Sequence, residues 1–150
     1  MRNWKSLIVF LLITFAAAAT GAISQPDAWF NALAKPSFMP PTWLFAPVWS
    51  LLYFLMAVAV WRVYRIDGIH GAIVLWIVQL VANALWTPLF FGLHRIDFAL
   101  VDIVALDVLL IATTIAFFRR DRIAGALMVP YLAWVGFATA LTFAIWRLNS

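Results

Sequence analysis

Residues 68–94 read GIHGAIVLWIVQLVANALWTPLFFGLH, a run bounded by Asp67 and Arg95 that holds no Lys, Arg, Asp or Glu. A helix needs about 20 predominantly apolar residues to cross the hydrocarbon core of a bilayer. The run supplies more than that, and it lacks the strict polar–apolar alternation of a barrel strand. The stretch therefore predicts a transmembrane α-helix at about 70–93.

Other parts of the chain repeat this pattern. Charged residues are absent from 6–26, 36–61 and 123–146, and a fifth apolar stretch near 98–118 is interrupted by Asp102 and Asp107. The sequence therefore predicts an all-α membrane protein, a single domain over 1–150 built as a bundle of five transmembrane helices. Their expected bounds are about 6–25, 43–65, 70–93, 97–118 and 122–147.

Composition excludes most soluble functions. Hydrophobic residues make up 67% of the 150 residues and charged residues 11%, against about 45–50% and 25% in soluble domains. A water-soluble enzyme is therefore excluded. The chain has no Cys and no Glu, so an ordinary zinc or iron ligand set cannot be assembled. We therefore expect no metal and no required cofactor. We also expect no nucleic-acid partner, because a net charge of +4 is ordinary for cationic membrane loops.

The first helix has two interpretations. Arg2 and Lys5 precede an apolar run that ends in the small residues 16–22, as in a secretory signal peptide. The run is longer than the usual signal core of about 7–15 residues, which favours a retained transmembrane helix. Cleavage remains the alternative.

Basic residues indicate the orientation. With five crossings, seven of them fall on the N-terminal side and three on the other. The positive-inside rule then predicts an integral protein of a bacterial membrane with a cytoplasmic N-terminus and an outward C-terminus. The seven are Arg2, Lys5, Arg62, Arg65, Arg119, Arg120 and Arg122; the three are Lys35, Arg95 and Arg147.

The connection between the first two helices, residues 26–42, is rich in proline and aromatic residues. Proline restricts its own backbone and that of the preceding residue, so this connection is stiff. It is interpreted either as a lid across one end of the bundle or as part of the aromatic belt at the membrane interface. We call residues 26–42 the lid loop.

Polar residues within the third helix share one face. Gln79, Asn83 and Trp86 are spaced by four and three, and Phe90 extends the stripe by another turn. Because polar groups are costly in lipid, this face is expected to look into the bundle. Its amides either bond neighbouring helices or form the wall of a ligand pocket.

Aromatic residues occur inside two other helices. Trp49 and Tyr53 are four apart in the second, and Trp134 and Ala138 are four apart in the fifth. If these faces converge with Trp86 and Phe90, they enclose a cavity suited to a large planar apolar ligand. The fourth predicted helix contains two ionisable residues, Asp102 and Asp107. Two such groups are too few for a proton relay.

Several motifs together resemble the translocator protein family, also called TspO or tryptophan-rich sensory proteins. The lid loop contains WFNALAKPSFMPP at 29–41, which is similar to the family pattern W-Y-x-x-L-x-K-P-x-x-x-P-P. The similarity continues through PVW at 47–49, QL at 79–80, and PYLAW at 130–134. It covers nearly the whole chain in the same order.

The resemblance implies a five-helix bundle, a homodimer, and a pocket under the lid loop that binds porphyrins such as protoporphyrin IX or haem. The ligand-binding residues expected from the pattern and the resemblance are Trp29, Phe30, Trp49, Tyr53, Asn83, Trp86, Phe90, Trp134, Phe137 and Ala138. Two departures are Phe30, where Tyr is frequent, and Phe143, where the animal sterol motif needs Tyr. Cholesterol is therefore not expected as the native ligand.

The predicted function is binding of a porphyrin or a similar planar hydrophobic molecule by a protein that acts as a sensor or carrier. Lys35 and Arg95 lie on the side of the lid loop and could meet porphyrin carboxylates. Two alternatives stay open: a tetrapyrrole transporter, and an enzyme-like, light- and oxygen-dependent breakdown of porphyrin by the tryptophans. No catalytic triad or phosphate-binding loop is found in the sequence, which favours binding over catalysis.

Overall fold

The computed structural model describes residues 4–23 and 27–150, and within them every regular element is a helix. The end predicted for the first helix at residue 25 and the start of the lid loop at 26 lie outside the described residues. The α-helices are α1 (Trp4–Ile23), α2 (Ala28–Ala32), α3 (Phe45–Asp67), α4 (Gly71–Thr87), α5 (Ile96–Arg120) and α6 (Arg122–Leu148). A 3₁₀ turn, Thr42–Leu44, precedes α3, and a π turn, Pro88–Gly92, follows α4.

Four of these segments are long and apolar enough to cross a membrane. They are Phe45–Asp67, Gly71–Gly92, Ile96–Arg120 and Arg122–Leu148. The apolar part of α1, Trp4–Thr20, is shorter. The chain is thus an all-helical integral membrane protein, and length and composition support four of the five predicted crossings.

A charged residue, Asp121, caps the helix that begins at the turn between α5 and α6. Asp121 accepts a hydrogen bond from the amide of Ile123 at the start of α6, at 3.3 Å. The same carboxylate pairs with Arg62 of α3 at 2.6 Å, and this bond lowers the pKa of Asp121 below its usual value. The turn between α5 and α6 is thereby tied to the end of α3.

The helix predicted at 70–93 differs from the structure in its last turns. α4 ends at Thr87, and Pro88 begins a wider π turn closed by a bond from the amide of Leu93 to the carbonyl of Pro88 at 2.8 Å. Proline has no N–H for the regular ladder, and π turns often mark functional sites. The wider turn directs Phe90 into the protein, where it is 1% exposed.

The five long helices form a closed ring in the order α1, α3, α6, α5, α4, each packing against the next. Two apolar clusters pack inside this ring. One contains Met56, Trp76 and Phe117, and the other, under the lid loop, contains Phe30, Phe90 and Leu141. Two tryptophans near helix ends, Trp4 and Trp43, are 62% and 72% exposed, which suits the aromatic belt at a membrane interface.

Candidate ligand-binding cavity

A cavity of about 450 Å³ lies inside the ring, under the lid loop. All five long helices contribute to its wall, as do the lid loop and the π turn. The wall is dominated by aromatic and aliphatic side chains with a few polar groups. This is the usual composition of a small-molecule site.

Eight of the ten sequence-predicted binding residues line this cavity. Helix α3 contributes Trp49 and Tyr53, helix α4 Asn83 and Trp86, the π turn Phe90, the lid loop Phe30, and helix α6 Trp134 and Ala138. These positions are far apart in the sequence. The spacing of four or three within each helix brings each pair to one face.

The other two predicted residues lie beside the cavity. Trp29 packs edge-on against Phe90 at 5.8 Å and stacks on His94 with the ring centroids 4.2 Å apart. Phe137 contacts Trp134 at 5.4 Å and Phe38 of the lid loop at 6.1 Å. Both side chains therefore support lining residues, and neither is part of the cavity wall.

A chain of hydrogen bonds leads from the cavity wall into the protein. Tyr53 donates to the Oδ1 of Asn83 at 2.8 Å, and the Nδ2 of Asn83 donates to the hydroxyl of Tyr131 at 2.7 Å. Tyr131 in turn donates to the Oε1 of Gln79 at 2.8 Å. The polar stripe of α4 therefore bonds neighbouring helices at Gln79 and also reaches the cavity at Asn83, so both interpretations of the stripe apply.

Two indole nitrogens of the wall have no hydrogen-bond partner. The Nε1 atoms of Trp86 and Trp134 are buried and unpaired, and both side chains line the cavity. A buried donor without a partner costs about 1–3 kcal/mol. Each nitrogen is closed off from the cavity space, so a ligand acceptor reaches it only when the indole ring rotates.

The lid loop is held to the bundle near its start and at its middle. Asp27 caps α2 by accepting from the amide of Phe30 at 3.2 Å, and it pairs with His94 at 3.1 Å. At the middle of the loop, Asn149 forms two hydrogen bonds with the backbone of Ala34, both at 2.9 Å. Phe30 and Met39 of the loop line the cavity, so the loop covers it as a lid.

The two cations expected near a ligand's carboxylates are already engaged. Lys35 donates to the carbonyls of Asn31 and Leu33, each at 3.2 Å. Arg95 bonds Asp97 at 2.8 Å. Either side chain would have to exchange these partners to reach a bound anion.

The two intramembrane acids lie on different faces of α5. Asp107 accepts a hydrogen bond from Thr139 of α6 at 2.6 Å. The Oδ2 atom of Asp102 is buried without a partner. Neither side chain lines the cavity.

Sequence reasoning missed part of the wall. Phe15 and Ala18 of α1, Met39 of the lid loop, and Ile103 and Leu106 of α5 line the cavity. These side chains are apolar, and the polar residues of α5 beside them, Asp102 and Asp107, do not line the cavity. In α6, Leu141 lies three residues after Ala138 and also reaches the wall.

Comparison with known proteins identifies the family. The family model described as "TspO/MBR family" matches residues 7–147. The chain belongs to the TspO/MBR family. Membership confirms the resemblance drawn from the lid loop and from the helix motifs that follow it.

Relatives of this TspO/MBR chain come from bacteria, archaea and animals. It is 43% identical to the "Tryptophan-rich sensory protein" of Cereibacter sphaeroides over 98% of this chain and 93% of that protein. It is also 43% identical to "Protein CrtK" of Rhodobacter capsulatus, over 94% of this chain and 91% of that protein. The human "Translocator protein" is 38% identical over 81% of this chain and 75% of that protein.

Proposed function

We propose that this chain binds a porphyrin, such as protoporphyrin IX or haem, or a similar planar apolar molecule, and acts as a membrane sensor or carrier. The observation that carries the proposal is the aromatic cavity under the lid loop, whose wall includes the side chains of Trp49, Trp86 and Trp134. Planar rings stack on aromatic walls, and ring nitrogens or carboxylates accept hydrogen bonds.

The dimensions of the cavity are consistent with such a ligand. Its volume of about 450 Å³ is within the range of about 300–1,000 Å³ typical of ligand pockets. A macrocycle larger than the cavity would be accommodated by movement of the lid loop. That movement would break the hydrogen bonds that the loop forms at Asp27 and with Asn149.

Transport across the membrane is the second proposed function. It is favoured by the name of the human relative, "Translocator protein", whereas the Cereibacter relative is named a sensory protein. Saturable flux of porphyrin into liposomes would support transport, and binding without flux would support sensing. Tryptophan-dependent breakdown of porphyrin stays a prediction of the resemblance.

The proposed arrangement in the membrane has five crossings, with α1 as the first. α1 packs against α3 and α4 as a full member of the ring, which supports this count. The distribution of basic residues supports a cytoplasmic N-terminus. A homodimer is proposed from the resemblance to the family.

The experiment that tests binding in this cavity compares two insertions of tryptophan on α6. Ala138 lines the cavity, while Ala140 is exposed on the outside of the bundle. We expect Ala138→Trp to weaken protoporphyrin IX binding at least about tenfold, or about 1.4 kcal/mol, because the indole fills the site. Ala140→Trp adds the same group and should bind as the parent does.

The shift of the porphyrin absorption band on titration measures the affinity in detergent or nanodiscs. Equal affinities in both variants, or no saturable binding by the parent chain, would contradict the proposal.

A further inference from the structure

His94 joins the lid loop to the bundle through two contacts. Its Nε2 lies 3.1 Å from the Oδ2 of Asp27, and its ring stacks on Trp29 with an interplanar angle of 11°. Both partners belong to the lid loop, whereas His94 follows the π turn. The imidazole thus bridges the lid loop and the segment that follows the π turn.

The backbone holds His94 in an unusual conformation. Its φ of 56° is in the left-handed region, and it is the one non-glycine residue with a positive φ among the described residues. The bonds from Leu93 to Pro88 and from Arg95 to Leu89 close the turn around it, at 2.8 and 2.9 Å. A non-glycine residue in this region is uncommon, and here the conformation turns the imidazole toward the lid loop.

The surroundings leave the imidazole open to protons. The side chain of His94 is 40% exposed and that of Asp27 is 46% exposed. The amide of Phe30 and then His94 lower the pKa of Asp27 below its usual value, so this carboxyl is ionised at neutral and mildly acidic pH. The other charged groups near His94 are Arg95 and Asp97, and these two neutralise each other at 2.8 Å.

We propose that His94 is a pH-sensitive latch, and that its protonation fastens the lid loop over the cavity. A neutral imidazole donates to Asp27 in only one of its two tautomers. An imidazolium donates from both nitrogens, forms a charge-assisted bond to the carboxylate, and adds a cation–π contact with Trp29.

The direction of the pH effect follows from linkage. Because the imidazolium binds Asp27 and Trp29 more strongly than the neutral ring does, acidic pH favours the closed lid loop and rising pH releases it. Exposed ion pairs are weak. We therefore expect the ratio of closed to open lid to change by about fivefold. The consequence for ligand exchange rests on the proposed function.

The test measures the lid loop without any ligand. The chain has no cysteine, so Ser37→Cys on the lid loop and Arg119→Cys at the opposite end of the bundle, in the last turn of α5, give two unique sites for spin labels. Pulsed electron–electron resonance reports the distance between them. We expect one narrow distribution at pH 5.5 and, at pH 8, an added population at longer distance.

Three variants decide whether His94 is the cause. His94→Gln should give the same distribution at both pH values. Asp27→Asn keeps a side chain that can cap α2 but removes the charge, and it should also remove the pH response. His70→Gln changes the other histidine, which bonds Arg120 and Gly68, and it should respond as the parent does. A pH response that survives His94→Gln, or a parent chain that does not respond, would overturn the latch.

A second measurement separates this inference from the proposed function. The dissociation rate of protoporphyrin IX should be about fivefold slower at pH 5.5 than at pH 8, and His94→Gln should abolish the difference. If the lid loop responds to pH and protoporphyrin IX does not bind, the proposed ligand is wrong and the latch stands. A pH-independent dissociation rate together with a responding lid loop would overturn control of ligand exchange by His94.

Discussion

At the scale of single residues, the indole N–H groups of Trp86 and Trp134 distinguish the cavity from an apolar void. Both nitrogens are buried without a partner, whereas the amide of Asn83 is already bonded to Tyr53 and Tyr131. The two indoles therefore hold donors with no internal bond to break, and rotation of the rings is needed to present these donors to a ligand. Ring contacts with Phe90 and Phe45 fix the orientation of the two indoles, at 5.0 and 5.9 Å.

Replacing either indole by a phenyl ring tests this role. Trp86→Phe and Trp134→Phe retain an aromatic surface but lose a donor, and each should weaken protoporphyrin IX binding by about 0.5–1.5 kcal/mol. The absorption shift of the porphyrin measures the affinity independently of tryptophan emission. Trp43→Phe is the control, because Trp43 is 72% exposed and remote from the cavity wall. An effect of Trp43→Phe equal to the other two would contradict the assignment.

The hydrogen-bond chain predicts unequal effects of two tyrosine changes. Tyr131→Phe removes a partner from both Asn83 and Gln79, and it should lower the free energy of unfolding by about 1–2 kcal/mol. Tyr53→Phe removes one partner from Asn83 and should cost less. Unfolding in graded denaturing detergent measures both. A larger loss for Tyr53→Phe would contradict the central position of Tyr131 in this series of hydrogen bonds.

Part of the cavity wall could be predicted at this scale because polar or aromatic side chains at helical spacing mark an inward face. Eight of the ten expected residues line the wall, while Trp29 and Phe137 lie just behind it. Spacing alone cannot resolve such neighbours, since the first and second layers of side chains occupy adjacent positions. Ile103 had no marker in the sequence, because the polar residue beside it, Asp102, does not line the cavity.

At the scale of elements, the lid loop contributes Phe30 and Met39 to the cavity wall. The sequence showed its stiffness through proline but left open whether it covers the bundle or belongs to the aromatic belt at the membrane interface. The contacts of Asn149 with Ala34 and of Asp27 with His94 attach the loop to the bundle, as a lid requires. The short helix α2 was not predicted, although Asp27 directly before Ala28–Ala32 is a common N-cap signal.

Loosening the middle of the lid loop should speed ligand exchange. Asn149→Ala removes both hydrogen bonds to Ala34, and we expect protoporphyrin IX to dissociate about 3–10 times faster. Asn31→Ala is the matched control, because the bond at Asn31 to Lys35 uses the backbone carbonyl. Stopped-flow exchange against empty acceptor vesicles gives both rates. An unchanged rate in Asn149→Ala would argue against its role as a fastening point.

The helix ends were predictable from charge, and the break at Pro88 was not. Asp67, Arg95 and Asp121 stand at or beside the ends that the structure shows. Pro88 lies within an apolar run that would otherwise continue as one helix, and a single proline signals a kink or an end without distinguishing a π turn. The consequence is functional, because this turn carries Phe90 to the wall and His94 to the lid loop.

At the scale of the whole molecule, the ring of five long helices creates the cavity. No helix lines it alone, and the order α1, α3, α6, α5, α4 follows from packing between segments distant in the sequence. Hydrophobic periodicity gives the inward face of each helix but not its neighbours. Family membership, in contrast, was readable from the lid loop motif and the order of the motifs after it.

The proposed topology predicts the location of the two ends of the chain. Five crossings with a cytoplasmic N-terminus place the C-terminus outside, so a C-terminal alkaline phosphatase fusion in bacteria should be active. A C-terminal fluorescent protein, which matures in the cytoplasm, should be dark. An active N-terminal fluorescent fusion is the control for expression. A bright C-terminal fluorescent fusion with an inactive phosphatase fusion would show that α1 does not cross, or that the orientation is reversed.

The central claim is that the cavity under the lid loop is the ligand site, and a structure of the purified protein with protoporphyrin IX tests it most directly. We expect a porphyrin inside the ring, against Trp49 and Trp134, with the Nε1 of Trp86 or Trp134 within hydrogen-bond distance of a ligand acceptor. A porphyrin bound to the lipid-facing surface, with the cavity unchanged, would contradict it.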